Sequence, residues 1–288
     1  VSAAQWTDLN DDGRPDLLLA GEWMPLTCFF NSGADFQREA IPHSTGWWNS
    51  LAAADLDGDG DTDFVAGNLG RNHPFRSGTD SLPRLHVNDF DKDGRREALI
   101  TSFLQGVEAP VHYRDDLLGW LYGLKKEFPD YRSYAEASWE TLFPPAVRTH
   151  SEVVTAEQLA SVWIERTPDG FTLHPLPVEA QFAPIYSVVV DDYDGNGHAD
   201  LLLAGNSFAT ETNTGRYDAL LGLLLRGDGR GRFEPVSFTE SGFYLPGDAK
   251  SLARLQLGDG RLLILAARNN DSLKSYTLRP APHSAATR

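Results

Sequence analysis

The stretch DLDGDGDTD, Asp55 to Asp63, places five aspartates in nine residues directly after the apolar run LAAA. Carboxylates this close repel one another, and a turn alone needs no more than one Asp and one Gly, so the cluster calls for a cation. Asp55, Asp57 and Asp59 alternate, Gly60 follows and Asp63 closes the stretch, a D-x-D-x-D-G-x-x-D pattern. Alternate carboxylates in a tight loop can all point inward at one ion, and the glycine lets the backbone turn and present the carbonyl of Asp61. Oxygen-only, multidentate coordination suits Ca²⁺ rather than Zn²⁺ or copper. An EF-hand loop starts in the same way but closes with a Glu at the twelfth position, between two helices. Here the closing acid comes at the ninth, and strand-like apolar runs flank the loop.

The pattern recurs. DLNDDGRPD supplies Asp8, Asn10, Asp12 and Asp16; DFDKDGRRE supplies Asp89, Asp91, Asp93 and Glu97; DYDGNGHAD supplies Asp192, Asp194, Asn196 and Asp200. Arg14, Arg95 and His198 take the place of Asp61 and are expected to offer backbone carbonyls. Four such loops predict up to four Ca²⁺ sites. A fifth copy, RLQLGDGRLLILAARNN, keeps its glycine as Gly260 but has Leu255, Leu257, Asp259 and Leu263 where ligands should stand. The hairpin therefore persists without the metal, which casts calcium as a staple on individual units.

The loop glycines, Gly13, Gly60, Gly94, Gly197 and Gly260, recur at intervals of a few tens of residues or more, the mark of a propeller or solenoid built from short strands. Each unit reads as strand, acid loop, strand and a less regular outer pair, such as PLTCFF and FQREAIP around NSGAD. Four strands to a unit is a propeller blade. The expected fold is all-β, a β-propeller forming one domain over residues 1–288, with blades near 1–45, 46–83, 84–178, 179–240 and 241–280 and a disordered tail at 281–288. The third blade carries a helical insertion around residues 115–143, starting at Asp115 and Asp116, with a second helix running from Asp130 to Phe143 and ended by Pro144 and Pro145. QLASVWIER and FTLHPLP then return as the outer strands of the third blade.

On these loops the chain resembles the FG-GAP/VCBS repeat family, whose calcium-bearing blades are known from integrin α-subunit heads. The runs NLGRNHPF, RDDLLGWLYGLKKEFPDYRSYA, EAQFAPIYSVVVDDYDGNG, GRYDA and ARNND are similar to the C-terminal part of large bacterial VCBS-repeat and ASPIC/UnbV-like surface proteins. The resemblance implies the propeller fold, calcium in the loops, and an exported protein at the cell surface, outside the cell or in the periplasm. The FG-GAP tripeptides themselves are not cleanly present, so the integrin comparison carries the metal loops and little else.

Composition bounds the reading. The chain's 288 residues, 41% of them hydrophobic, suffice for a large core. One cysteine, Cys28, permits no internal disulfide and reads as a small buried apolar residue. A net charge of −16 argues against nucleic acid as a partner, and no apolar run approaches a membrane span. The chain starts at VSAAQW, already on an inner strand, and is expected to be a piece of a longer precursor that carries other domains.

Geometry then locates a ligand. If the acid loops lie at one end of each hairpin, the other end collects Trp23, Trp47, Trp48, Asn49, Asn68, Arg71 and Asn72, and later Tyr186, Asn206, Arg216, Tyr217, Asp218, Arg268, Asn269 and Asp271. Aromatic faces among Asn, Arg and Asp suit a glycan or a protein ligand. Individually, the same residues serve as wedges between blades and caps on strand ends. No G-x-S-x-G, H-E-x-x-H or phosphate-binding glycine loop occurs, and the histidines lack zinc spacing. The expected function is a calcium-stabilised extracellular binding module. The alternatives are a carbohydrate-active lyase or hydrolase, for which Arg216 and Asp218 are the candidate pair, and a purely structural domain.

Overall fold

The structure is a computed structural model and describes residues 1–75, 81–210 and 214–278; the tail expected at 281–288 lies outside them. Along the chain run β1 (Ala3–Thr7), β2 (Asp16–Ala20), β3 (Glu22–Met24), β4 (Thr27–Asn31), β5 (Phe36–Ala40), β6 (Gly46–Trp47), β7 (Ser50–Ala54) and β8 (Asp63–Gly67). Next come β9 (Arg84–Asn88), β10 (Glu97–Leu104), β11 (Val107–Pro110), the short helices α1 (Arg114–Trp120), α2 (Tyr131–Ala135), α3 (Trp139–Leu142) and α4 (Pro145–Thr149), and β12 (Glu152–Thr155). The chain continues as β13 (Val162–Thr167), β14 (Gly170–Pro175), β15 (Ile185–Asp191), β16 (Asp200–Gly205), β17 (Leu223–Gly227) and β18 (Phe233–Val236). After α5 (Phe238–Ser241) it ends in β19 (Ala249–Gln256), β20 (Leu262–Arg268) and β21 (Lys274–Thr277).

These elements form two compact units, 1–72 with 158–288, and 73–157, where the sequence reading expected one domain. In the first unit the sheets run β1-β2-β4-β5, β7-β8-β13-β14, β15-β16-β17-β18 and β19-β20-β21, all antiparallel, with a small β3-β6 pair. In the second the order is β11-β10-β9-β12.

One strand pair overturns an expectation. The segment 162–167 does not complete the third sheet: Val162, Trp163 and Ile164 pair with Ala66, Val65 and Phe64. Every residue of β8 is buried, so this strand needs a partner on both edges and an apolar one on both sides; the buried triplet Val162–Trp163–Ile164 supplies it. The open edge of β9 is taken instead by β12, which follows the helices directly. The second unit is thus an insertion within the second sheet.

The alternation of side chains along the central strands explains how the sheets of the first unit stack. Val65 packs with Leu201, Leu203 and Ile185 toward the third sheet, whereas Phe64 and Ala66 pack with Leu18 and Trp48 toward the first. On β16, Leu201 and Leu203 face that same core, and Leu202 and Ala204 face Leu252 and Ile264 of the last sheet. β7 lies beside β1 and β15, and β15 beside β19, so the first strand of each sheet neighbours the first strand of the next. Gly67 and Gly205 make that approach possible. A Cβ on Gly67 would collide with the Ile185 carbonyl, and one on Gly205 with the Pro184 carbonyl.

In the second unit the helices cover one face of the sheet, with Leu99, Leu117, Leu121, Trp139 and Phe143 in the core between them. The helix expected from Asp130 to Phe143 is broken in two. Asp130 and Ser138 each form a capping box, so a fresh N-terminus starts at Ser138 in mid-segment. Pro145 begins α4 rather than ending α3, because a proline is well suited to the first helical turn.

Candidate metal loops and hairpin ends

Each acid loop is a hairpin connection: β1 to β2, β7 to β8, β9 to β10 and β15 to β16. The loops share one internal wiring. The first aspartate accepts the N–H of the loop glycine, Asp8 from Gly13 (2.8 Å), Asp55 from Gly60 (3.2 Å), Asp89 from Gly94 (3.0 Å) and Asp192 from Gly197 (2.9 Å). The second residue turns inward as a plug: Leu9, Leu56 and Phe90 are buried. Odd positions are thereby left to the acids. The four glycines have φ of 80°, 94°, 91° and 86°, the left-handed region that glycine enters without strain.

The closing acid does more than the sequence suggested. Asp16, Asp63 and Asp200 are fully buried, and each joins its loop to the third strand of its sheet. Asp16 accepts from Leu9 N (2.9 Å) and Asn31 N (2.6 Å), Asp63 from Leu56 N (3.1 Å) and Arg166 N (2.9 Å), and Asp200 from Tyr193 N (2.9 Å) and Gly227 N (2.8 Å). Glu97 accepts from Phe90 N (2.8 Å). These clamps were missed because the partner strand is distant in the chain; for Asp63 it lies about a hundred residues on, beyond the inserted unit.

The carboxylates converge where the spacing placed them. Ligand atoms of Asp55, Asp57 and Asp63 lie within 4.8 Å of one another, as do those of Asp89, Asp91, Asp93 and Glu97, and those of Asp192, Asp194 and Asp200. Asp59 and Asn196 sit at the third ligand position of their loops, each accepting the N–H two residues on, from Asp61 (2.9 Å) and His198 (2.7 Å). Burial raises the carboxyl pKa of Asp57, Asp61 and Asp200, with neighbouring aspartates adding to the shift. Burial likewise pushes Asp63 up to about 6, with Asp57 and Asp61 adding to it. The Asp61 Oδ1 atom is buried with no hydrogen-bond partner. Buried acids that raise one another's pKa and an orphaned carboxylate oxygen form an all-oxygen donor set short of positive charge, which fits a hard cation such as Ca²⁺.

The first loop differs. Asp12 pairs with the Arg14 guanidinium at 2.6 Å, and Asp11 pairs with Arg166 at 2.6 Å. Burial works against ionising Asp12, but the Arg14 N–H, the Asn10 amide and the Arg14 charge outweigh it and hold the pKa below its ordinary value. In this loop arginine already offsets part of the acidic charge. In the fifth hairpin Gly260 keeps its positive φ, 83°, while Asp259 simply pairs with Arg261 (2.8 Å).

At the other hairpin ends the expected ligand residues meet varied fates. Trp48 and Asn68 are fully buried. Trp48 Nε1 donates to the Ser44 carbonyl (2.8 Å), and Asn68 accepts from Trp47 N (3.1 Å) and Leu69 N (2.8 Å) while its Nδ2 donates to the Gln158 carbonyl (2.9 Å). Asn206 plays the same part after β16, bonding Leu220 and the Gly247 carbonyl. These three residues hold the fold and are not open to a ligand. Trp47 is half-buried and stacks on Trp23, centroids 4.9 Å apart. Arg71 and Asn72 are exposed, their backbone N–H groups held by the Gln181 carbonyl. Arg216 sits over the Phe208 ring (4.5 Å), Tyr217 bridges to Ser207, and Asp218 is exposed. Arg268 pairs with Asp271 (2.6 Å) and Asn269 bonds Asp248 (3.1 Å). Cys28 is buried, and burial, reinforced by Glu39 and Asp16, pushes its thiol up to about 12.

Sheets of antiparallel hairpins closed by acid loops define an all-β repeat protein. Residues 8–66 match the family model of the FG-GAP-like repeat. No curated protein matches the chain. Among solved structures it is similar to the V. cholerae biofilm matrix protein Bap1, with 11% identity and a TM-score of 0.28, covering 92% of this chain and 59% of that one. It is also similar to a GH43 β-1,3-galactosidase solved with galactodeoxynojirimycin, with 10% identity and a TM-score of 0.22, covering 92% of this chain and 84% of that one. At such scores neither likeness carries weight for fold or function.

Proposed function

We propose that this chain is a calcium-stabilised interaction module that works outside the cell or at its surface. The observation that carries the reading is the convergence of carboxylates in three loops that share the bond from the loop glycine to the first aspartate; the Asp55 and Asp89 loops have no ion-pair partner among the described residues, and in the third Arg226 pairs with Asp194 alone (2.7 Å). Asp55, Asp57, Asp59 and Asp63 would hold one ion, Asp89, Asp91, Asp93 and Glu97 a second, and Asp192, Asp194, Asn196 and Asp200 a third, with the backbone carbonyls of Asp61, Arg95 and His198 completing the sets. Asp8, Asn10, Asp12 and Asp16 make a fourth, weaker site. When bound, calcium supplies positive charge that relieves the repulsion of the loop acids. The chain's own residues do the rest: the glycine turns the loop, the second residue packs inward to anchor it, and Asp16, Asp63 and Asp200 tie their loops to the third strand, while Glu97 closes its own loop onto Phe90 N.

The neighbouring first strands and face-to-face stacking support reading the first unit's sheets as propeller blades. In that reading the ligand, a glycan or a protein, meets the hairpin ends away from the acid loops, where Trp47, Arg71, Asn72, Arg216, Tyr217, Asp218, Arg268 and Asn269 stand. The test is a glycan and peptide array probed with calcium-loaded protein beside an EDTA-treated sample. Binding to one class of ligand, weakened by Arg71→Ala but not by Arg38→Ala, is expected; silence on folded, calcium-loaded protein rules out the recognition role.

A further inference from the structure

The helix-covered face of the sheet in the 73–157 unit is not apolar throughout, and it should be if packing were its whole purpose. Arg84 and His86 of β9, Thr101 and Phe103 of β10 and Glu108 of β11 share that face, as their register shows. His86 Nε2 lies 2.8 Å from Glu108 Oε1 and 3.0 Å from Thr101 Oγ1, the Thr101 hydroxyl donates to Glu108 Oε1 (2.6 Å), and Arg84 Nη1 meets Glu108 Oε2 at 2.8 Å. His86 is 3% exposed and stacks on Trp139 with centroids 3.8 Å apart, while its Nδ1 is buried without a hydrogen-bond partner. Burying such a network costs stability unless every member is satisfied, and this one is not.

The network lies in the wall of a cavity of about 610 Å³ between the sheet and helices α3 and α4. Arg148 of α4 lines the same cavity. Its Nε donates to the Phe143 carbonyl (3.1 Å), which fixes the side chain and leaves both Nη groups without a protein partner among the described residues. Glu140 of α3 lines the same space and has no cationic partner among the described residues. Phe103 adds an apolar wall.

We propose that this cavity binds a carboxylate-bearing saccharide, with the carboxylate received by Arg148. A guanidinium with two free Nη groups matches a planar carboxylate by paired hydrogen bonds. A ligand rich in hydroxyls both donates and accepts, and the walls offer both: Arg84 donates, Glu140 accepts, and Phe103 lies against carbon. The volume suits a mono- or disaccharide. Glu108, held by His86 and Thr101, positions Arg84 and touches no ligand. This site is separate from the hairpin ends discussed above, and its fate does not depend on theirs.

The test titrates D-glucuronate, with D-glucose as the neutral match, into the full calcium-loaded chain, followed by calorimetry and by the arginine Nε–Hε resonances in NMR. Glucuronate is expected to bind at least about tenfold tighter than glucose and to shift the Arg148 resonance. Arg148→Gln should abolish that preference, and exposed Arg38→Gln should leave it intact. Should Arg148→Gln fail to fold, Arg148→Lys, which keeps the charge and loses the fork, should weaken glucuronate about tenfold. Equal affinity for the two sugars, no binding at tens of millimolar (about 50 mM at most), or glucuronate binding unchanged in the Arg148 variants overturns the proposal.

Discussion

Asp57 and Asp63 sit six positions apart in one loop and do different work. Among the described residues Asp57 accepts only the N–H of Asp59 (3.2 Å), a bond inside an exposed turn. Asp63 is buried and satisfies Leu56 N and Arg166 N on two different elements. If Asp57 is the ion ligand proposed above, Asp57→Ala should lower the melting temperature by a few degrees in calcium and hardly at all in excess EDTA, since it would remove that ligand and little else. Asp63→Ala should destabilise in both buffers by about 2–4 kcal/mol, because it leaves two buried N–H groups unpaired. Urea unfolding of both variants with and without calcium separates the roles, and equal losses for Asp57→Ala in both buffers would remove Asp57 from the ion site. The convergence of the acids was legible in the sequence because the loop that holds them is local. The clamp was not, since the residue that completes it is set by sheet pairing far along the chain.

At the scale of elements, the hairpins, the decayed fifth copy and the start of the helical insertion could all be read from the sequence. The ownership of β13 could not. Its apolar triplet fits the edge of either β8 or β9, and only the competing strand β12 decides between them. Likewise Trp48 and Asn68 look like binding residues in the sequence, and burial turns them into struts. The topology makes its own prediction. Gly70 N bonds the Leu159 carbonyl at 2.8 Å, so the chain leaves and re-enters the second sheet at adjacent points. Replacing residues 73–157 by a short Gly/Ser linker should leave the first unit folded, with cooperative unfolding and a native-like strand signature in circular dichroism. A molten or aggregated product would show that β8 and β13 need the inserted unit in order to pair. Gly205→Ala, which drives a Cβ into the Pro184 carbonyl, should cost about 1–3 kcal/mol in thermal unfolding.

For the whole molecule, the net charge of −16 is concentrated in loops whose acids have few cationic partners; the exceptions are the first loop, with Arg14 and Arg166, and the fourth, where Arg226 pairs with Asp194. The account therefore makes calcium a part of the folded state. Sites of this type in extracellular modules bind at about 10⁻⁴ to 10⁻³ M, so 5 mM Ca²⁺ should add about 1–2 kcal/mol per occupied site. The most direct measurement is a differential scanning calorimetry series from excess EDTA to about 5 mM Ca²⁺, with Mg²⁺ at the same ionic strength as control. The account predicts a rise of several degrees in calcium, larger than in magnesium, reduced in steps as Asp57, Asp91 and Asp194 are changed to alanine. A melting temperature that does not move between EDTA and calcium would contradict it.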